Sequence, residues 1–292
     1  MRRTIEHVSK CLEAAGYVAD AALATTLSML LTLQRPLLVE GDAGVGKTEL
    51  AKAMAKGFDA RLIRLQCYEG LDTATAVYEW NYPHQLLAIK LQEAAGSGNA
   101  DETDIFSERF LLARPLLEAI REPSPAVLLI DEIDRADEAF EAYLLEVLSD
   151  FQISIPELGT IRARSIPRVV LTSNGTRELS DALRRRCLYH YLDYPDLAKE
   201  LAIVHRHLPG IDGQLARQVV TFVQALRTKP VRKRPGIAET LDWASALTGL
   251  EVRTLVENPV LVDETLACLL KTEEDMKAYR GGEARALLSA IA

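Results

Sequence analysis

The stretch GDAGVGKT, Gly41 to Thr48, fits the spacing Gly-x-x-x-x-Gly-Lys-Ser/Thr. Its glycines reach backbone conformations closed to other residues, so several N–H groups can turn toward one anion. A helix that starts here aims its positive end at the same anion. Lys47 offers a point charge to the outer phosphates of a nucleotide, and Thr48 a hydroxyl to Mg²⁺. Cofactor contacts are expected from Gly41, Asp42, Ala43, Gly44, Val45, Gly46, Lys47, Thr48 and Glu49.

AVLLIDEID follows, with Asp131 and Glu132 at the end of an apolar run. One carboxylate can hold Mg²⁺, and the next can orient or deprotonate an attacking water. The adjacent Glu132 favours a hydrolase over a small-molecule kinase. VVLTSNGT ends another apolar run at Asn174. An amide there can hydrogen-bond the water or the terminal phosphate, although Asn also serves turns. DALRRRC sets Arg184, Arg185 and Arg186 side by side in a chain of net charge -8.

These residues need a scaffold. PLLVE (36–40), RLIRLQC (61–67), AVLLID (126–131), RVVLTSN (168–174) and CLYHYLDY (187–194) read as strands. TELAKAMAKGF and EAFEAYLLEVLSDF read as helices, and so does residues 5–32. QISIPELGTIRARSIP reads as a small hairpin, about 152–165. Alternating β and α predict a parallel α/β sheet, with helices on both faces, over residues 1–194. Residues 195–292 predict a smaller all-α part. Residues 70–115 look less regular, and 94–104 loop-like.

The 292 residues, 48% hydrophobic and 26% charged, suit a globular chain of one large or two smaller domains. Net charge -8 argues against a dedicated nucleic-acid binder. Cys11, Cys67, Cys187 and Cys268 are scattered, which suits a reducing compartment rather than a disulfide or zinc scaffold. No signal peptide or transmembrane run is evident, so a cytoplasmic protein is expected.

In this order the motifs resemble those of AAA+ ATPases, P-loop NTPases with a helical C-terminal lid. The hairpin ISIPELGTI and the insertion at about 70–115 resemble the MoxR branch. LQCYEGLDTATAVYEWNYPHQLL and KRPGIAETLDWASAL look most like its CoxD type, associated with maturing the molybdenum–copper centre of carbon monoxide dehydrogenase. The resemblance implies ATP and Mg²⁺ as cofactors, and ATP hydrolysis as the activity. It implies a homo-oligomer, a hexamer by family habit. It also implies a partner with a von Willebrand factor A domain and a metalloenzyme client.

Residue by residue, Lys47 and Thr48 match the Walker A pair, Asp131 and Glu132 the Walker B pair, and Asn174 sensor 1. Thr48 and Asp131 are then the metal-side residues. Arg186 best matches the arginine finger of a neighbouring subunit, with Arg185 second. The usual Ser-Pro-Arg of sensor 2 is not evident. Arg234, before a proline instead of after one, is the candidate in its place.

Other features read more plainly. The run from Arg227 to Arg234 reads as a solvated linker or a subunit or nucleotide contact. Tyr78, Trp80 and Tyr82 fit half-buried core and an aromatic recognition surface equally well. Two rival functions remain: a nucleic-acid-dependent motor of clamp-loader or branch-migration type, and a nucleotide-gated binding module with little turnover.

Overall fold

The computed structural model describes residues 2–94 and 105–291. The loop-like reading of 94–104 therefore lies, apart from Ala94, outside the described residues. The described chain forms two compact units. One comprises Met1–Ala15, Ala19–Glu40 and Thr48–Tyr191; the other comprises Gly16–Val18, Gly41–Lys47 and Leu192–Ala292.

The N-terminal helical stretch is two helices, α1 (Arg2–Ala15) and α2 (Ala21–Leu33). Gly16, at φ +96°, breaks the run, and the Asp20 carboxylate restarts it by accepting Leu23 N–H at 2.8 Å. Such a cap contributes ~1 kcal/mol. Strand β1 (Leu37–Glu40), helix α3 (Lys47–Gly57) and strand β2 (Leu62–Gln66) follow.

The segment expected to be irregular holds real structure. A short helix α4 (Thr73–Ala76) precedes β3 (Tyr78–Trp80) and helix α5 (Tyr82–Ala94). Strand β4 (Leu111–Ala113) then pairs antiparallel with β3. Trp80 is 7% exposed and meets Phe106 edge-on at 5.3 Å, whereas Tyr82 is 59% exposed. The aromatic group thus divides between core and surface.

Helix α6 (Pro115–Arg121) leads into β5 (Val127–Asp131), buried along its whole length. Helix α7 (Glu138–Asp150), the β6/β7 hairpin (Gln152–Ile155 and Gly159–Arg162), β8 (Arg168–Ser173), helix α8 (Asp181–Arg186) and β9 (Leu188–Tyr191) complete this unit.

The main sheet runs β2-β5-β8-β1-β9, with every pairing parallel. This is a five-stranded parallel sheet with helices around it. Parallel pairing explains the apolar runs: helices cover both faces, so a central strand needs no polar side. It also puts Glu40, Asp131 and Ser173 at one end of three adjacent strands.

The second unit carries helices α9 (Leu197–His207), α10 (Gly213–Arg227), α11 (Ile237–Gly249), α12 (Pro259–Thr265), α13 (Glu273–Tyr279) and α14 (Gly282–Ile291). Its core includes Val219, Val223 and Trp243, with Phe222 and Trp243 rings 5.0 Å apart. Among the described residues, no helix is long and apolar enough to cross a membrane.

Candidate functional site

The glycine loop begins where β1 ends. Gly44 and Gly46 have φ of +83° and +98°, which L side chains rarely adopt. A Cβ on Gly41 would lie 2.2 Å from the Leu192 carbonyl oxygen, so this position admits no side chain. Lys47 is buried at the first position of α3, and its ammonium donates to the carbonyls of Gly41 (2.6 Å) and Asp42 (2.8 Å). Val45 is buried, whereas Asp42 and Ala43 are exposed. Glu49 is exposed and pairs with Lys52 at 3.2 Å.

Thr48 meets the end of β5. Its hydroxyl donates to Asp131 Oδ1 at 3.1 Å, and Thr172 donates to the same oxygen at 2.6 Å. Arg64 of β2 takes Asp131 Oδ2 through Nε (3.1 Å) and a terminal nitrogen (2.6 Å). A hydroxyl and a carboxylate side by side are the hard oxygen donors that Mg²⁺ prefers. Thr48 and Asp131 therefore fit that ion.

Glu132 has φ +56°, a left-handed conformation uncommon outside glycine. Its N–H donates to the Thr172 hydroxyl at 2.9 Å. Its carboxylate accepts from Gln66 and from Arg135, each at 3.1 Å. The turn thus sends Glu132 away from the strand direction while Asp131 stays aligned with Thr48.

Asn174 follows β8 on the neighbouring strand. Its N–H donates to Asp134 Oδ2 at 3.2 Å, and Thr176 adds its N–H (3.0 Å) and hydroxyl (2.6 Å) to that oxygen. Burial pushes the Asp134 carboxyl up, but these donors hold it below the usual carboxylate range. Asp134 is the last acid of DEID, and it ties the turn after β5 to the turn after β8.

The three arginines end α8. Ser180 caps its start, and the buried Glu141 of α7 holds this end by accepting Ser180 N–H at 3.0 Å and by pairing with Arg177. Arg184 lies 3.5 Å from Glu40. Arg185 and Arg186 are exposed, and Arg186 reaches the Ser149 hydroxyl and the Ala182 carbonyl. Arg35 donates to the carbonyls of Arg185 (2.5 Å) and Arg186 (3.2 Å), a cation at a helix C-terminus.

In the helical unit the basic run is not uniformly solvated. Arg227 is 8% exposed and pairs bidentately with Glu200, both contacts at 2.7 Å. Its Nε donates to the Pro235 carbonyl at 2.8 Å, and the Tyr194 ring lies 4.7 Å from the guanidinium. Arg234 is exposed. The position after Pro235 is Gly236, where a Cβ would lie 2.6 Å from the Gly44 Cα. Ile237 N–H donates to the Gly44 carbonyl at 2.9 Å. The first turn of α11 thus engages the glycine loop through backbone.

Arg64, Gln66, Thr172, Asp134 and Gly236 were not singled out by sequence reasoning. Thr172 and Asp134 stand inside the quoted motifs. Arg64 and Gln66 alternate with buried Ile63 and Leu65 on β2, which puts both on one face.

Residues 37–192, more than half of the chain, match the model of the ATPase family associated with various cellular activities (AAA). A Haloferax mediterranei protein described as gas vesicle ATPase GvpN is 28% identical over 70% of this chain. The match spans 60% of that protein's length. A Halobacterium salinarum protein described as gas vesicle ATPase GvpN2 is 25% identical over 90% of this chain and 76% of its own. Among solved structures, a proline-to-glycine mutant of Thermotoga maritima RuvB is 20% identical. It covers 99% of this chain and 82% of its own, with a TM-score of 0.48.

Proposed function

Because the chain belongs to the AAA family of ATPases, we propose that it hydrolyses ATP to remodel a client protein, acting as a homo-oligomer. The observation that carries this reading is the Thr48 hydroxyl against the Asp131 carboxylate, with Glu132 next in the chain. Lys47 holds the outer phosphates. Thr48 and Asp131 hold Mg²⁺, which when bound neutralises charge on the phosphate oxygens. Glu132 orients and deprotonates the water, and Asn174 positions it. Arg186, or Arg185 beside it, reaches the phosphates held by a neighbouring copy, while residues 1–194 act as core and 195–292 as lid. Arg234 is the lid cation proposed to face the nucleotide.

The client reading rests on likeness. The CoxD-type sequence resemblance favours maturation of a molybdenum–copper carbon monoxide dehydrogenase, with a von Willebrand factor A-domain partner. The names of the halophile relatives favour a second reading, an ATPase of gas vesicles. Either reading keeps ATP hydrolysis as the activity, and neither invokes DNA.

Glu132→Gln tests the chemistry and the client together. Turnover is expected to fall ~10²–10⁴-fold, the usual worth of a general base, with ATP binding retained. Equal turnover would sink the role of Glu132 and favour a nucleotide-gated binding module. The ATP-loaded variant is then used to capture the client, and a dehydrogenase subunit, a gas vesicle protein or DNA separates the readings. Mixing inactive Arg186→Ala and Lys47→Ala subunits is expected to restore some turnover, because one intact site can form between them. If no mixture recovers while wild-type monomers hydrolyse ATP, the finger assignment fails.

A further inference from the structure

We propose that Arg64 competes with the divalent cation for Asp131, and so sets how strongly nucleotide binding depends on that cation. This rests on the reading of Thr48 and Asp131 as the metal-side residues.

Register gives Arg64 its reach. Arg64 pairs with Leu129, and Gln66 with Asp131, so Arg64 lies on the Asp131 face two residues short of it. The long side chain spans that diagonal and delivers Nε and a terminal nitrogen to Oδ2, at 3.1 and 2.6 Å. The terminal nitrogen also donates to Gln66 Oε1 at 2.5 Å, which keeps the guanidinium plane beside the carboxylate.

The two oxygens of Asp131 share the Thr48 hydroxyl, at 3.1 and 3.3 Å, and differ in their other partners. Oδ1 is held by two threonine hydroxyls, Thr48 and Thr172. Hydroxyls carry no net charge and remain compatible with a cation at the same carboxylate. Oδ2 faces a full positive charge. A guanidinium stays protonated in proteins, so it yields this oxygen only by moving. Like charges at one carboxylate repel, so a divalent cation and the guanidinium disfavour each other there.

Exposure decides which partner can move. The Asp131 side chain is 4% exposed, and that of Arg64 is 49% exposed. The carboxylate is fixed by its strand and its threonines. The arginine has water on its other side and can swing into it. Such a half-exposed pair is weak enough to exchange.

The test measures ADP binding calorimetrically to the full chain, over a Mg²⁺ series and in EDTA. It compares wild type, Arg64→Leu and Arg64→Lys. Arg64→Leu is expected to lower the half-saturating Mg²⁺ about fivefold, or ~1 kcal/mol at ~1.4 kcal/mol per tenfold. ADP affinity in EDTA stays within about twofold by the same argument, and Arg64→Lys shifts the Mg²⁺ curve less because it keeps the charge. An unchanged or higher Mg²⁺ requirement in Arg64→Leu would overturn the proposal. So would an equal change of ADP affinity with and without Mg²⁺, which would mean that Arg64 touches the nucleotide or holds the fold. A wild-type chain that binds no ADP at any Mg²⁺ would instead overturn the nucleotide reading beneath it.

Discussion

Two arginine–carboxylate pairs, one in each unit, show how differently the same chemistry is used. Arg227 and Glu200 are both buried, at 8% and 0% exposure, and bond bidentately. Thr240 and Gln224 donate to the remaining lone pairs of Glu200, and Pro235 accepts from Arg227. Arg64 and Asp131 share one oxygen, and the arginine is half in water. The first pair is locked because neither member has solvent to go to. The second is exchangeable because one member does. Burial of the cation, not the presence of an ion pair, separates a structural fastening from a replaceable one.

The comparison can be broken by stability measurements. Arg227→Ala leaves Glu200 as an uncompensated buried charge and is expected to cost ~3–5 kcal/mol. Trp243, fully buried in the same unit, reports this by its fluorescence during urea unfolding. A loss under ~1 kcal/mol would place the locked pair among ordinary surface pairs.

Gly236→Ala sharpens what the locked pair is for. Arg227 holds the Pro235 carbonyl, and the next residue lies on the glycine loop. The new Cβ meets the Cα and carbonyl oxygen of Gly44, at 2.6 and 2.7 Å, and neither is a flexible side chain. Overpacking of this kind costs ~1–3 kcal/mol. ADP affinity is expected to fall by a corresponding ~5- to 150-fold. Unchanged affinity would show that the glycine contact does not bear on the loop's ligand.

The smallest effect belongs to the exchangeable pair. Arg64→Leu is expected to change unfolding stability by at most ~1 kcal/mol, because a half-exposed arginine contributes little. A loss comparable to that of Arg227→Ala would put the two pairs in one class and make Arg64 a fold residue.

Much of the scaffold was legible because its signals are local. The apolar runs at 36–40, 126–131 and 168–174 met the β1, β5 and β8 strands within a residue or two. The hairpin after α7 was legible in QISIPELGTIRARSIP, and its turn falls at Pro156, Glu157 and Leu158. Residues 70–115 were not, because β3 and β4 have three residues each, too few for a periodic signal, and pair across the α5 segment. Gly16 hid inside an apolar run whose helical spacing continues on either side, so two helices read as one.

By itself the sequence determined the glycine loop, the acidic pair after an apolar strand and the alternation that makes a parallel sheet. Each is written in neighbouring residues, through backbone freedom at Gly44 and Gly46 and through hydrophobic runs. Only the tertiary structure decided which side chains surround Asp131, because Arg64 lies 67 residues away in the chain and Thr172 lies 41 away. It alone decided that Arg227 is buried while Arg234 is exposed, within one basic run. The physical reason is that burial of a charge depends on its partner. Strand order and helix packing, not the adjacent residues, bring that partner.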